Sequence, residues 1–169
     1  MHDTICRLRA MRTADLDAIL DVQAACYPPA MREPAGVVLA RMLAALDTCV
    51  VAEDGQGVCA YLFAYPSRLG SVTPLDGSFD PAPHADTLYV HDLSVAPRAH
   101  RRGLARALVG HGLALGRQRG LHASALVSVQ DTAGFWCGLG YQASSLACPG
   151  ARHALATYPG SAQYMTRVL

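Results

Sequence analysis

The residues best suited to chemistry lie in one stretch of the chain, between Tyr89 and Ala114. His91 and Asp92 stand next to each other in an alternating apolar run, and a basic segment that ends at Gly103 follows them. An imidazole can take up a proton near neutral pH, and a carboxylate can do the same when it is buried. The stretch therefore combines candidate general bases with a candidate anion site.

The basic segment predicts a turn that leads into the N-terminus of a helix. Pro97 stops the preceding strand, and an Ala- and Leu-rich run begins at Gly103. The first N–H groups of a helix have no intrahelical partner and bind anions, especially phosphates. Gly103 has no Cβ to keep a ligand away, and Ala105 is nearly as small. A pyrophosphate suits this turn, and three arginines add positive charge around it: Arg98, Arg101 and Arg102.

Two familiar nucleotide-binding motifs are excluded. The Walker loop requires a lysine, and all fourteen basic residues of this chain are arginines. The dinucleotide fingerprint requires a third glycine and a strand near the start of a βαβ unit, which are not found here. The absence of lysine also excludes Schiff-base chemistry on a lysine side chain.

Composition indicates one ordinary globular domain over residues 1–169. The formal net charge of +1 gives no overall field for nucleic acid or an anionic membrane. No apolar run is long enough to span a bilayer, and the N-terminus lacks an apolar signal core. The six cysteines form no Cys-x-x-Cys motif and are typical of reduced, buried thiols, so we expect a cytoplasmic protein without a metal site.

Hydrophobic periodicity predicts alternating strands and helices. Helices are expected from Thr13 to the prolines at 28 and 29, over residues 34–46, after Gly103, and after Asp131 or Thr132. The helix over 34–46 is predicted to bury Val38, Leu39, Met42, Leu43 and Leu46. Strands are expected over residues 4–11, 49–53, 58–65, 89–95, 122–129, 141–146 and 164–169. The segment between residues 147 and 160 has no readable pattern.

The proline-rich segment over residues 66–87 is irregular. A loop of this length is either a disordered excursion or a functional wall or lid, and the sequence leaves both open. Its acids, Asp76, Asp80 and Asp86, would suit a cationic substrate, although a solvated loop accounts for them as well.

Two stretches in this chain resemble the motifs of one family. Residues 95–105, Val-Ala-Pro-Arg-Ala-His-Arg-Arg-Gly-Leu-Ala, resemble the acyl-coenzyme A pyrophosphate motif of the GNAT N-acetyltransferase superfamily. Residues 135–141, Phe-Trp-Cys-Gly-Leu-Gly-Tyr, resemble a later motif of the same family. The order of the two motifs and their separation by one helix and one strand also agree with it.

The resemblance implies an α/β (α+β) fold with a mixed, mostly antiparallel sheet of six to seven strands, flanked by about four helices, whose central strands splay apart. It implies acetyl-CoA as co-substrate, with backbone groups of Leu93, Ser94 and Val95 at the thioester. The pyrophosphate would lie on Arg98, His100, Arg101, Arg102, Gly103, Leu104 and Ala105. Gln130, Phe135 and Trp136 would complete the cofactor wall.

The mechanism implied is direct attack of a neutral primary amine, on a small molecule or peptide, at the thioester. His91 stands where polyamine acetyltransferases carry a glutamate, and Asp92 matches their aspartate. Strand alternation places the two side chains on opposite faces, so we expect only one to face the substrate. A hydrogen-bonded core histidine and a loop-capping aspartate stay open as alternatives. Trp136 stands in place of the usual tyrosine acid, so the acid step is unassigned.

A non-catalytic acyl-CoA-binding module of the same fold is the alternative function, because the tyrosine acid is missing. A basic patch over residues 98–106 could instead bind DNA, but the near-neutral net charge argues against a nucleic-acid partner. No membrane partner is expected. The acceptor, the acyl chain and the oligomeric state, a homodimer included, are left open.

Overall fold

The computed structural model describes residues 6–169 and has one mixed, mostly antiparallel sheet of seven strands, in the order β1-β2-β3-β4-β5-β7-β6. The strands are β1 (Arg7–Ala10), β2 (Val50–Asp54), β3 (Gly57–Ser67), β4 (Thr87–Val95), β5 (Ala123–Ser128), β6 (Gln142–Ala143) and β7 (Gln163–Val168). The helices are α1 (Leu16–Cys26), α2 (Ala35–Ala45), α3 (Leu104–Gln118), α4 (Ala133–Cys137) and α5 (Pro149–Leu155). This arrangement confirms the predicted fold class.

The sheet separates two hydrophobic cores. On one face, Ile19 of α1 and Met42 of α2 pack with Tyr61 and Tyr89 of the sheet. On the other face, the buried side of α3 packs against β3, β4 and β5. Both helix layers bury apolar side chains at helical spacing, which is the main stabilising contribution to such a fold.

The parallel pair β4 and β5 separates partway along its length. The two strands pair from Thr87 with Ala123 to Val90 with Leu126, although β4 continues to Val95 and β5 to Ser128. Beyond Val90 the strands are therefore splayed, as predicted. The opening exposes backbone groups that a pairing partner would otherwise occupy.

A β-bulge in β4 changes which side chains face the opening. Phe63 of β3 pairs with Asp92, and the next residue, Ala64, pairs with Val90, so His91 is the extra residue. A bulge interrupts the two-residue alternation of a strand and redirects side chains. As a consequence His91 and Asp92 line the same cavities. The prediction that strand alternation places the two side chains on opposite faces was wrong for this reason.

Close packing explains two of the three glycines within α3. A Cβ at Gly112 would lie 2.7 Å from a methyl group of Leu62, and one at Gly116 would lie 3.0 Å from Leu169. A Cβ at Gly110 would meet no atom within 4 Å. The helix therefore needs small residues only where it crosses the sheet.

Other elements differ from the sequence predictions. On α2 the buried face includes Arg41, whereas Leu43 is 64% exposed. The strand expected over residues 141–146 is reduced to β6, and the unreadable segment contains α5. Residues 4 and 5 of the first predicted strand lie outside the described residues.

The cysteines of the described residues are all free thiols, and two of them, Cys137 and Cys148, are exposed instead of buried. Within residues 6–169 no helix combines the length and apolarity needed to cross a membrane.

Candidate functional site

Three cavities follow one another along the splayed strands. The phosphate pocket, about 350 Å³, is lined by Val95, residues 99–106 and Phe135. The central cavity, about 210 Å³, lies between β4 and β5 and shares Val95, Ala105 and Phe135 with it. The inner chamber, about 30 Å³, lies beyond the central cavity, and both are lined by Tyr27, His91, Asp92, Val127 and Val129.

The phosphate pocket is built on the N-terminus of α3. Gly103 is the N-cap residue, has a left-handed conformation with φ of 72°, and supplies no side-chain cap. Ala107 N–H donates to the Gly103 carbonyl, so the N–H groups before it have no acceptor within the helix. Arg101 also has a positive φ, of 63°. These features are typical of an anion site made by backbone N–H groups.

Some side chains of this turn point to protein partners. Both terminal nitrogens of Arg98 are engaged, NH1 with the Asp54 carboxylate at 2.8 Å and NH2 with backbone carbonyls, and Arg98 lines a separate groove. Arg102 also pairs with Asp54, at 2.9 Å, while lining the phosphate pocket. The His100 ring bonds to the Val95 carbonyl oxygen at 2.9 Å. Of the predicted phosphate contacts, Arg98 alone has its side chain outside the pocket.

The central cavity brings together most of the remaining predicted cofactor residues. Leu93, Val95, Gln130, Phe135 and Trp136 line it. Trp136 is 7% exposed and packs edge-on against Phe135 and Tyr141. Ser94 does not line the cavity, and its hydroxyl donates to the Asp92 carboxylate at 3.3 Å. The cavity is mostly apolar, which suits a flexible arm and a short acyl group.

Asp92 is a buried carboxyl with hydroxyl partners. Tyr27 donates to Oδ1 at 2.6 Å, and Tyr61 donates to Oδ2 at 2.7 Å. Burial raises the pKa of Asp92, against the opposing effect of these two hydrogen bonds. A carboxylate with a raised pKa is a stronger base, so the site places a candidate proton acceptor between the central cavity and the inner chamber.

His91 belongs to a buried ionic cluster with Glu33 and Arg41. Arg41 NH1 bonds to the Glu33 carboxylate and lies 2.7 Å from His91 Nε2, which is itself 3.2 Å from Glu33 Oε1. All three side chains are 5% exposed or less. Burial would raise the pKa of Glu33, but its contacts with His91 and Arg41 outweigh burial and hold the pKa at about 2. Glu33 is therefore ionised at neutral pH.

The proline-rich segment is the wall of this cluster. Arg41 donates to the Gly77 carbonyl through Nε, at 2.8 Å, and through NH2, at 2.6 Å. The Asp76 N–H donates to Glu33, and Phe79 packs edge-on against His91. Leu75 lines the inner chamber. The segment is thus held against the site by buried polar contacts. Its acids, Asp76, Asp80 and Asp86, line none of the three cavities.

Several site residues were not found by sequence reasoning: Tyr27, Glu33, Arg41, Tyr61 and Tyr158. Arg41 lies on α2, where apolar spacing predicted only its neighbours as buried residues. An arginine flanked by good core residues at i+1 and i−3 was the available signal, because a charged residue on a buried face needs a partner. Tyr27, just before Pro28, carried no comparable pattern.

Comparison with known proteins identifies the family. The model of the "Acetyltransferase (GNAT) family" matches residues 16–141. No curated protein matches the chain. The solved structures that it resembles include the GphF GNAT-like decarboxylase in complex with isobutyryl-CoA, with a TM-score of 0.80 and 20% identity over 96% of this chain and 98% of that one.

Two further structures carry acetyltransferase names. The ribosomal-protein-S18-alanine N-acetyltransferase from Escherichia coli has a TM-score of 0.69 and 15% identity, over 97% of this chain and 94% of that one. The PaiA N-acetyltransferase from Thermoplasma acidophilum, in complex with coenzyme A, has a TM-score of 0.70 and 10% identity, over 98% of this chain and 99% of that one. At these low identities the TM-scores support the fold alone. The family model matches most of the length of this chain. The chain belongs to the GNAT acetyltransferase family.

Proposed function

We propose that this protein transfers an acetyl group from acetyl-CoA to the primary amine of a compact acceptor. The observation that carries the proposal is the series of three cavities, each sharing lining residues with the next. A ligand with a pyrophosphate at one end and a thioester at the other would extend from the N-terminus of α3 to Asp92. The acceptor would meet the thioester at the inner chamber.

In the proposed reaction the ammonium group of the acceptor first loses one proton to solvent, and the neutral amine nitrogen then attacks the thioester carbonyl carbon. Asp92 takes the proton that the nitrogen loses, the carbon–sulfur bond breaks, and the amide forms. Because Asp92 lines both the central cavity and the inner chamber, it can return that proton to the departing thiolate. This route needs no tyrosine at the position of Trp136.

The inner chamber supports a small, cationic acceptor. It measures about 30 Å³, so it has room for the reacting group of a small acceptor and little more. Its polar lining includes the ionised Glu33 and the carboxyl of Asp92. Carboxyl groups favour an incoming ammonium over an anion.

The test is the release of coenzyme A thiol from acetyl-CoA over a panel of small primary amines, with the product identified by mass spectrometry. Asp92→Asn should lower kcat/KM by about 10²-fold to 10⁴-fold, the usual contribution of a general base. Asp17→Asn, on the exposed first turn of α1, removes the same charge and should leave the rate unchanged.

A folding control separates loss of chemistry from loss of structure. The pKa of Asp92 is raised by burial, so its ionisation opposes folding, and this cost begins as pH rises through the usual aspartate range and is complete above the folded pKa. The melting temperature of Asp92→Asn at neutral pH should therefore equal or exceed that of the wild type. The difference should vanish as pH falls below the usual aspartate range. Binding of acetyl-CoA without turnover of any amine would instead support the non-catalytic module.

Decarboxylation of an acyl-CoA that carries a carboxylate is the second candidate. The small inner chamber favours it, because a reaction without a second substrate needs less room. The carboxyls of Glu33 and Asp92 oppose it, since they would repel a substrate carboxylate. Release of CO₂ from malonyl-CoA, with no amine present, would select this reaction over amine acetylation.

A further inference from the structure

The contacts of His91 define which of its ring nitrogens carries a proton. Nε2 lies 2.7 Å from Arg41 NH1 and 3.2 Å from Glu33 Oε1. A guanidinium has donors only and is not deprotonated in proteins. The shorter contact is therefore a hydrogen bond in which Arg41 donates and Nε2 accepts.

The remaining contacts of Arg41 and Glu33 are made without a hydrogen on His91 Nε2. Arg41 NH1 has two hydrogens, which suffice for Nε2 and for Glu33 Oε2. Glu33 Oε1 accepts from the Asp76 N–H at 3.1 Å, so it has a donor other than the His91 ring. With its lone pair on Nε2 taken by Arg41, a neutral His91 carries its proton on Nδ1.

His91 Nδ1 is buried and has no hydrogen-bond partner among residues 6–169. The rings of Phe79, Tyr89 and Tyr158 surround the imidazole, with centroids between 5.3 and 6.5 Å away. An unsatisfied buried N–H is unfavourable unless a ligand accepts it. His91 lines both the central cavity and the inner chamber, where the acyl group would lie.

We propose that Arg41 is a positioning residue that holds His91 as its Nδ1–H tautomer, and that His91 donates this hydrogen to the carbonyl oxygen of the acyl group. The inference rests on the proposed function. It assigns His91 to stabilising the charge that develops on that oxygen, instead of to removing the proton of the amine. A lone pair engaged by Arg41 is not available to an amine.

The first test is the protonation of the ring, which requires no turnover. In protein labelled with ¹⁵N-histidine, the two nitrogens of a neutral ring have well-separated shifts, and His91→Asn identifies the signals of residue 91. We expect a neutral ring protonated at Nδ1. Arg41→Lys, which can also only donate, should keep that tautomer, whereas Arg41→Gln should populate the other. A ring protonated at Nε2, or a doubly protonated ring at neutral pH, would overturn the proposal.

The second test compares His91→Asn with His91→Ala in acyl transfer. The asparagine amide places a donor near the Nδ1 position but cannot act as a base. His91→Asn should keep kcat within about tenfold of the wild type, and His91→Ala should lose about 10²-fold, typical for one such donor. Equal losses in both variants would contradict the donor role.

The two tests separate the inference from the function on which it rests. If no amine is acetylated but CO₂ is released, the same pair of variants is compared in that reaction. If neither reaction occurs, the carbonyl-donor role is overturned together with the function, while the spectrum still decides the tautomer. Circular dichroism shows whether the Arg41 variants fold. If the Arg41 variants do not fold, the ¹⁵N-histidine spectrum of the wild type and the comparison of His91→Asn with His91→Ala decide the outcome.

Discussion

At the scale of single residues, the most consequential feature is a charge cluster that is almost completely buried. Arg41 joins α2 to Glu33, to His91 of β4 and to Gly77 of the proline-rich segment. Its guanidinium also lies over the Phe79 ring, 5.1 Å from the centroid. Removing one partner of the buried Arg41–Glu33 ion pair lowers the stability of the fold, because the other charge stays buried without a partner.

Removal of the Glu33 charge should therefore destabilise the protein in a pH-dependent way. Glu33→Gln should lose about 3–5 kcal/mol of unfolding free energy at pH 7. The pKa of Glu33 falls from 4.5 to about 2 on folding, so its contribution is present above pH 4.5 and is lost as pH falls toward 2.

Chemical denaturation at pH 7 and at pH 3 measures this effect. The difference in unfolding free energy between the wild type and Glu33→Gln should be smaller at pH 3 than at pH 7. Glu53→Gln, which breaks a more exposed pair with Arg9, should cost about 1 kcal/mol or less at pH 7. A gap for Glu33→Gln that is independent of pH would contradict the lowered pKa.

At the scale of elements, the site is made by interruptions of regular structure. The bulge at His91, the end of pairing after Val90 and the left-handed Gly103 each leave polar groups facing a cavity. Regular strands and helices on both sides hold these groups in place. The interrupted positions are also where simple periodicity fails as a guide.

Two glycines of α3 should respond in opposite ways to alanine. Gly112→Ala would place a methyl 2.7 Å from Leu62, so we expect overpacking to exceed the gain in helix propensity and to cost about 1–2 kcal/mol. Gly110→Ala meets open space and should gain about 0.5–1 kcal/mol. Urea unfolding of both variants measures the two signs. Equal stabilisation in both would mean that α3 does not lie so close to the sheet.

The sequence predicts those parts of the site that depend on local chemistry. The start of α3 at Gly103 follows from the turn residues, and the wall of Phe135 and Trp136 follows from the resemblance to a family motif. The position of both His91 and Asp92 beside the cavities depends on a bulge set by pairing with β3, which strand alternation does not encode. Arg41 and Glu33 are brought to His91 by tertiary packing alone.

At the scale of the whole molecule, the sheet supports the three cavities, which together form one continuous path for a ligand. Helix α3 lies on one face and supplies the anion-binding end. The other face carries α1, α2 and the proline-rich segment, and on that side the inner chamber is lined by the connection between α1 and α2 and by Leu75. The path crosses the sheet where β4 and β5 part, so a ligand can contact both layers.

The most direct test of this account is the binding of acetyl-CoA, measured by isothermal titration calorimetry, in a matched pair of variants. Ala105 lines both the phosphate pocket and the central cavity, whereas Ala107 lies exposed on the same helix. Leucine is a good helix former at either position, so the two variants differ mainly in whether the path is filled. We predict one site in the wild type and in Ala107→Leu, and affinity at least tenfold weaker in Ala105→Leu. Absence of saturable binding to the wild type, or equal binding by both variants, would contradict the path.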